Sequence, residues 1–161
     1  MKRAFLILLT LSMLTAPAIA EQTFSYPKDT PIFSITFPDD WDVEVGEDIS
    51  ASSADELANI QLFALEGGDL KTAVTAAKEA MSESFEGMNW KGKPEKGELN
   101  DMPVTFLTGS VTIEGVEMAL NCAVFAPKNE DTYFMLFNLM PTVAEEKHGD
   151  DLLKILTSVK G

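Results

Sequence analysis

Residues 133–140 read Tyr-Phe-Met-Leu-Phe-Asn-Leu-Met, almost wholly apolar. A strand of that composition has no face it can give to water. It predicts a place in the middle of a sheet, with something packed on each side, and Pro141 ends it. The rest of the chain must therefore supply both the neighbouring strands and the covering layers.

Shorter segments do so. Phe33-Ser-Ile-Thr-Phe37 alternates apolar and polar, as a half-buried strand does. Pro38-Asp39-Asp40 is a turn, and Trp41-Asp-Val-Glu-Val45 alternates again before Gly46-Glu47-Asp48. This reads as a strand–turn–strand pair. A short strand at Ile49 and a denser one over 59–65 follow. Residues 91–102, with Gly92, Pro94 and Gly97, read as polar and turn-rich. Residues 104–125 are β-rich, and Glu114-Gly115 marks a hairpin. Val104, Phe106 and Thr108 share one parity while Val111 and Ile113 take the other, which predicts a β-bulge at Gly109. Residues 127–132 form a polar turn.

Two helices are legible. Asp69 can cap a helix whose apolar stripe is Leu70, Ala73, Val74, Ala77, Met81 and Phe85, with Gly87 past its end. Thr142-Val-Ala-Glu145 has capping-box spacing, and Leu152, Leu153, Leu156 and Val159 form a second stripe, with Gly149 dividing a turn from a helix. Hairpin-linked strands and few helices give an α+β class with an antiparallel sheet.

The first twenty residues have the three parts of a secretory signal peptide: basic Lys2-Arg3, an apolar run over 4–15, and Ala18-Ile19-Ala20. Cleavage after Ala20, with a periplasmic or secreted destination, is the expectation. Residues 21–30 are expected as a loosely held lead-in and 31–161 as a single domain. Cleavage takes two cations and no acid, so ten lysines face 26 acids, a formal charge of −16. A surface this negative repels phosphodiester backbones and anionic lipid headgroups, which argues against nucleic-acid and anionic-membrane binding. Arg3 is the only arginine, so the mature chain lacks the forked donor that grips phosphate.

The opening Phe33-Ser-Ile-Thr-Phe-Pro-Asp-Asp-Trp41, the segment Leu99-Asn-Asp-Met-Pro-Val-Thr-Phe106 and the closing Ile155-Leu-Thr-Ser-Val-Lys160 resemble the PsbP-like fold superfamily. Photosystem extrinsic subunits, the Ran-binding Mog protein and DcrB-like periplasmic proteins share this fold. The resemblance covers most of residues 30–160. It implies an antiparallel sheet with helices packed on both faces, and binding or assembly rather than catalysis. It carries over no catalytic residue, no motif for Ran, and no lipid-anchor cysteine.

The residues themselves offer little chemistry. A Ser-His-acid or Cys-His site needs a histidine, and the chain has only His148, read as a surface residue. The single cysteine, Cys122, shares strand parity with Met118, Leu120 and Val124 and is expected in the core, its thiol silenced by desolvation. One His and one Cys cannot build a zinc site of the N/S kind. Asp39, Asp40, Asp42, Glu44, Glu47 and Asp48 place six carboxylates in ten residues. On a strand, Asp40, Asp42 and Glu44 would share a face, the one candidate for weak divalent-cation binding. The plainer reading is a solvated face that keeps an edge strand from pairing with other chains. Gly67-Gly68 before a helix could cradle an anion, but Asp69 fills that place with its own charge. Met81, Met118, Met135 and Met140 fall on apolar faces as core filler.

The expectation is an exported, non-enzymatic domain without cofactor that binds another protein, one with a basic surface. The alternative is a carrier of a small apolar ligand or lipid held between sheet and helix, with Phe63, Phe85, Phe134 and Phe137 as lining. A hydrolase ranks below both.

Overall fold

The computed structural model describes residues 21–127 and 132–161. Residues 1–20, expected as a signal peptide, and residues 128–131 of the expected polar turn, lie outside the described residues. The main sheet is antiparallel and has seven strands. Their spatial order is β3 (Asp42–Val45), β4 (Ile49–Ser52), β5 (Asn59–Leu65), β9 (Tyr133–Pro141), β8 (Val116–Phe125), β7 (Met102–Ile113) and β6 (Asn89–Leu99). The apolar run is thus the central strand, as its composition demands. Phe134, Leu136 and Met140 of β9 point to one face, Met135 and Phe137 to the other, and all five are buried.

Helix α1 (Leu70–Ser84) covers the second of these faces through Ala73, Val74, Ala77 and Met81. Its start is set by Asp69, whose Oδ1 accepts from the Thr72 backbone N–H at 2.6 Å. The first face carries a mixed layer. A two-stranded sheet, β1 (Glu21–Tyr26) with β2 (Phe33–Pro38), packs there beside α2 (Glu145–Ser158). Phe33 meets Phe134 and Phe125 edge-on at centroid distances of 4.9 and 5.4 Å, and Ile35 and Phe37 are fully buried. The result is an α+β sandwich with a helix on each face.

The three segments that carry the family resemblance converge at the C-terminal end of α2. Thr36 of β2 donates its N–H to Ser158 Oγ at 2.8 Å, and Ser34 and Lys160 exchange backbone bonds. Asn100, in the β6–β7 turn, donates Nδ2 to Thr157 O and Val159 O at 2.7 and 2.6 Å, satisfying carbonyls a helix end leaves open. The motifs join remote parts of the chain around one helix terminus.

Several expectations are corrected. Residues 21–26, expected as a loose lead-in, are strand β1, because β2 offers them a free edge along its whole length. β2 and β3 do not pair; β2 joins β1 and β3 joins β4. The turn between them carries the chain from one sheet to the other. Residues 89–99 are strand β6 rather than turns. Strand β6 is the outer edge, where the backbone ladder carries a mostly polar stretch and only Trp90 and Leu99, near its two ends, pack inward. The predicted bulge at Gly109 is absent: β7 and β8 pair in unbroken register from Val104↔Phe125 to Ile113↔Val116. Both faces of the sheet are covered, so a strand can change its apolar parity without slipping. The irregularity lies opposite, in β6 between Lys91 and Glu95. Gly109 has another reason to lack a side chain, since a Cβ there would sit 3.0 Å from Asn89 O. The β7–β8 hairpin is as expected, with Glu114 and Gly115 at φ 51° and 83°, the primed-turn conformation. Helix α2 runs unbroken through Gly149. Thr142 does not form a capping box; its Oγ1 donates to Glu117 O.

Candidate functional site

Among the described residues no helix is long and apolar enough to cross a membrane, and the places to look for function are the grooves. The largest, about 730 Å³, runs between the β1–β2 sheet and the C-terminal half of α2. Its floor carries four hydroxyls, Thr23, Ser34, Thr36 and Ser158, among the apolar Phe37, Pro38 and Ile155. Ser34 and Thr36 alternate with the core-facing Phe33, Ile35 and Phe37 because strand side chains change face at every residue, while Thr23 comes from β1 and Ser158 from α2. Its rim is charged, with Glu21, Asp39, Asp40 and Asp151 set against Lys154 and Lys160. Thr23 Oγ1 and Thr36 Oγ1 share a hydrogen bond of 2.9 Å, and Lys154 Nζ lies 3.3 Å from Asp151.

Beyond the rim the carboxylates continue. Asp39, Asp40, Asp42, Glu44, Glu47 and Asp48 are all exposed, while Trp41 is buried and Val43 and Val45 turn inward. β3 ends its sheet, so these charges line an edge. The structure does not gather the candidate cation ligands: Asp40 lines the large groove, Glu44 lines a separate hollow beside Gly46 and Ser50, and Asp42 lines neither. Among the described residues no group of three or more His, Cys, Asp or Glu side chains stands where it could hold a metal ion.

His148 is the residue that sequence reasoning misplaced. It is 5% exposed, on the inner side of α2. Its Nε2 lies 3.1 Å from Asp55 Oδ2. A carboxylate only accepts, so that nitrogen carries the proton. Asp55 also accepts from Lys147, from Ser53 Oγ at 2.7 Å and from the Leu57 N–H at 3.2 Å. The Lys147 hydrogen bond first, and that from Ser53 next, hold the Asp55 carboxyl well below the usual carboxylate range. Ser53 Oγ in turn accepts from the Ala58 N–H at 3.0 Å. The arrangement ties the β4–β5 loop to α2. Here serine bonds the acid rather than the imidazole, so no proton path leads from the hydroxyl to the histidine. The signal available in the sequence was the spacing of His148 with Leu152, Ile155 and Val159, one helical stripe.

Cys122 packs with Ala73, Ala77 and Leu120 in the α1 cluster, and burial pushes its thiol up to about 12. Thiol and imidazole therefore belong to different layers. Asp69 is held down chiefly by the Thr72 backbone N–H, so the helix start is already occupied by the chain's own anion. Met81 and Met135 belong to the α1 cluster and Met140 to the other face, where each fills space; Met118 is half-buried. Of the four phenylalanines expected to line a cavity, Phe63, Phe85 and Phe137 do line a cleft of about 420 Å³ at the end of α1. Phe134 is packed on the opposite face.

No family model matches the chain, and no curated protein does. Solved structures do. The cyanobacterial PsbP (CyanoP) of Synechocystis sp. PCC 6803 superposes with a TM-score of 0.66 at 12% identity, over 88% of this chain and 92% of that one. LpqN of Mycobacterium tuberculosis, described as involved in cell envelope biogenesis, gives 0.61 at 15% identity over 88% and 90%. The Ran-binding protein Mog1p of Saccharomyces cerevisiae gives 0.58 at 11% over 89% and 96%. The chain also spans 47% of the length of a larger structure from Bacteroides thetaiotaomicron, with a TM-score of 0.59 at 14% identity over 86% of this chain. The fold is the PsbP-like fold.

Proposed function

We propose that this chain is an exported, non-enzymatic binding domain that engages another protein through a basic segment of that partner. The observation that carries the reading is the continuity of carboxylates from the rim of the large groove, at Asp39 and Asp40, onto the exposed edge at Asp42, Glu44, Glu47 and Asp48. A groove between a sheet and a helix, with hydroxyls on its floor and four acids against Lys154 and Lys160 on its rim, accepts an extended lysine- or arginine-bearing segment. The backbone of that segment would find donors and acceptors, and its charges would find partners. Such charge complementarity raises the encounter rate and makes association sensitive to salt. The leader-like residues 1–20 support export. Proteins of the same fold are described as binding Ran or as taking part in envelope biogenesis, which supports binding over catalysis.

The test is capture from an extract of the source organism at low and at high ionic strength, followed by titration with the purified partner. A saturable partner held at low salt and released at high salt is expected. The variant Asp39→Asn/Asp40→Asn/Asp42→Asn/Glu44→Gln should bind it at least tenfold more weakly, with a shallower salt dependence. No saturable partner at low salt, or equal binding by the variant, overturns the proposal.

A further inference from the structure

A second cavity, of about 270 Å³, lies where the sheet passes under α2, away from the acidic groove. Its floor is the α2-facing side of the central strands, with Leu136, Asn138 and Met140 of β9 and Asn121 of β8. Its wall is one helical stripe: Glu145, Gly149, Leu152, Leu153 and Leu156. Three features of these residues bear on what the cavity holds.

The first is Asn138. It is 7% exposed, and among the described residues its Nδ2 has no hydrogen-bond partner. Asn121 is its neighbour across the β8–β9 register, yet it does not satisfy that donor. A buried amide nitrogen left unpaired is costly, and the side chain that carries it lines this cavity, where a turn of the amide would present the nitrogen to a ligand. The second is Gly149. A glycine inside a helix weakens it, and a Cβ at this position would meet nothing within 4 Å. The missing side chain leaves space over the floor. Leu153 beside it is 59% exposed, an apolar lip without an intramolecular partner of matching burial. The third is charge. Among the described residues the lining has no cation, and its one carboxylate is Glu145. A free carboxylate ligand would have to lose its water beside a like charge, with nothing to balance it. The volume falls just below the ~300–1,000 Å³ usual for drug-sized ligands, enough for one short chain.

We propose that the α2–sheet cavity binds a neutral, single-chain acyl compound. Its hydrocarbon lies among Leu136, Leu152, Leu153 and Leu156, and its carbonyl oxygen accepts from Asn138 Nδ2, the side-chain amide turning toward the cavity to meet it. This site is independent of the acidic groove and of the protein-binding reading.

The probes are methyl octanoate, octane and octanoate, titrated into the purified protein. The readouts are the side-chain amide cross-peaks of Asn138 in nitrogen-15 NMR and the melting temperature. Methyl octanoate should move those cross-peaks saturably and raise the melting temperature. Octane should bind about tenfold more weakly, the loss of one buried hydrogen bond, and octanoate more weakly than the ester. Asn138→Leu should bring the ester down to the octane level. Gly149→Leu, which fills the open space, should abolish binding of all three while keeping a native circular dichroism spectrum. Any of three results overturns the proposal: an ester bound no tighter than octane, an Asn138→Leu protein that retains ester affinity, or a folded Gly149→Leu protein that binds like the wild type.

Discussion

One face of the sheet is covered by α1 alone, the other by α2 together with the β1–β2 hairpin. On the α1 face the helix has a single partner. Ala73 and Ala77 bring its backbone close to Leu120, Cys122 and Val124, and the stripe facing the sheet is the one that periodicity marks. On the α2 face the helix has two partners, and its buried surface is divided between them. His148 and Ile155 face the β4–β5 loop and the hairpin side, while Gly149, Leu152 and Leu156 overhang the central strands and leave a cavity. The one-element layer closes along the helix and opens only at its end, in the cleft lined by Phe63, Phe85 and Phe137. A layer assembled from two leaves seams, and the histidine, the unpaired asparagine amide and the largest groove all lie along them.

Three substitutions bear on that contrast, from the largest expected effect to the smallest. Phe134→Ala removes a ring that contacts Phe33, Phe125 and Tyr26 at centroid distances of 4.9, 6.0 and 6.0 Å. It should cost about 3–5 kcal/mol by urea denaturation, against about 2 kcal/mol for Met81→Ala under α1, where a helix can settle onto the space. A larger loss at Met81 would break the comparison. His148→Ala should cost about 2 kcal/mol through lost packing and a lost hydrogen bond, and the loss should include protease sensitivity of residues 53–58.

The same contact sets an acid dependence. Asp55 has its carboxyl lowered in the fold, so its contribution is present above the ordinary carboxylate value. It is lost as pH falls through the lowered folded value. Stability of wild type and Asp55→Asn should therefore converge on acidification, which paired urea curves at neutral and acid pH would show. The smallest change is Gly149→Ala. With open space at the Cβ, helix propensity should raise stability by about 1 kcal/mol; a loss instead would mean that α2 closes over the cavity in solution.

How much was legible follows the same division. The central place of residues 133–140, the α1 stripe and its Asp69 cap, and the Glu114-Gly115 turn each depend on neighbours in sequence or on one packing partner. The core position of Cys122 follows from simple strand parity. Strand β6 was not legible, because an edge strand is held by backbone bonds and its side chains need no apolar pattern. The parity change after Thr108 looked like a bulge only under the assumption of a single buried face. The burial of His148 depends on Asp55, 93 residues away in sequence, and no local pattern announces such a partner. The trio Asp40, Asp42 and Glu44 looked continuous on paper, but the chain leaves one sheet and enters another just before Asp42, which separates their directions.

By itself the sequence determined the charge, the scarcity of reactive groups and the need for a doubly covered central strand, since these follow from composition and from residue spacing along the chain. Only the tertiary structure decided which strands pair, where the polar groups are buried and where space is left open. Those outcomes depend on how remote segments share one surface, and a two-part layer over a twisted sheet cannot fill that surface completely.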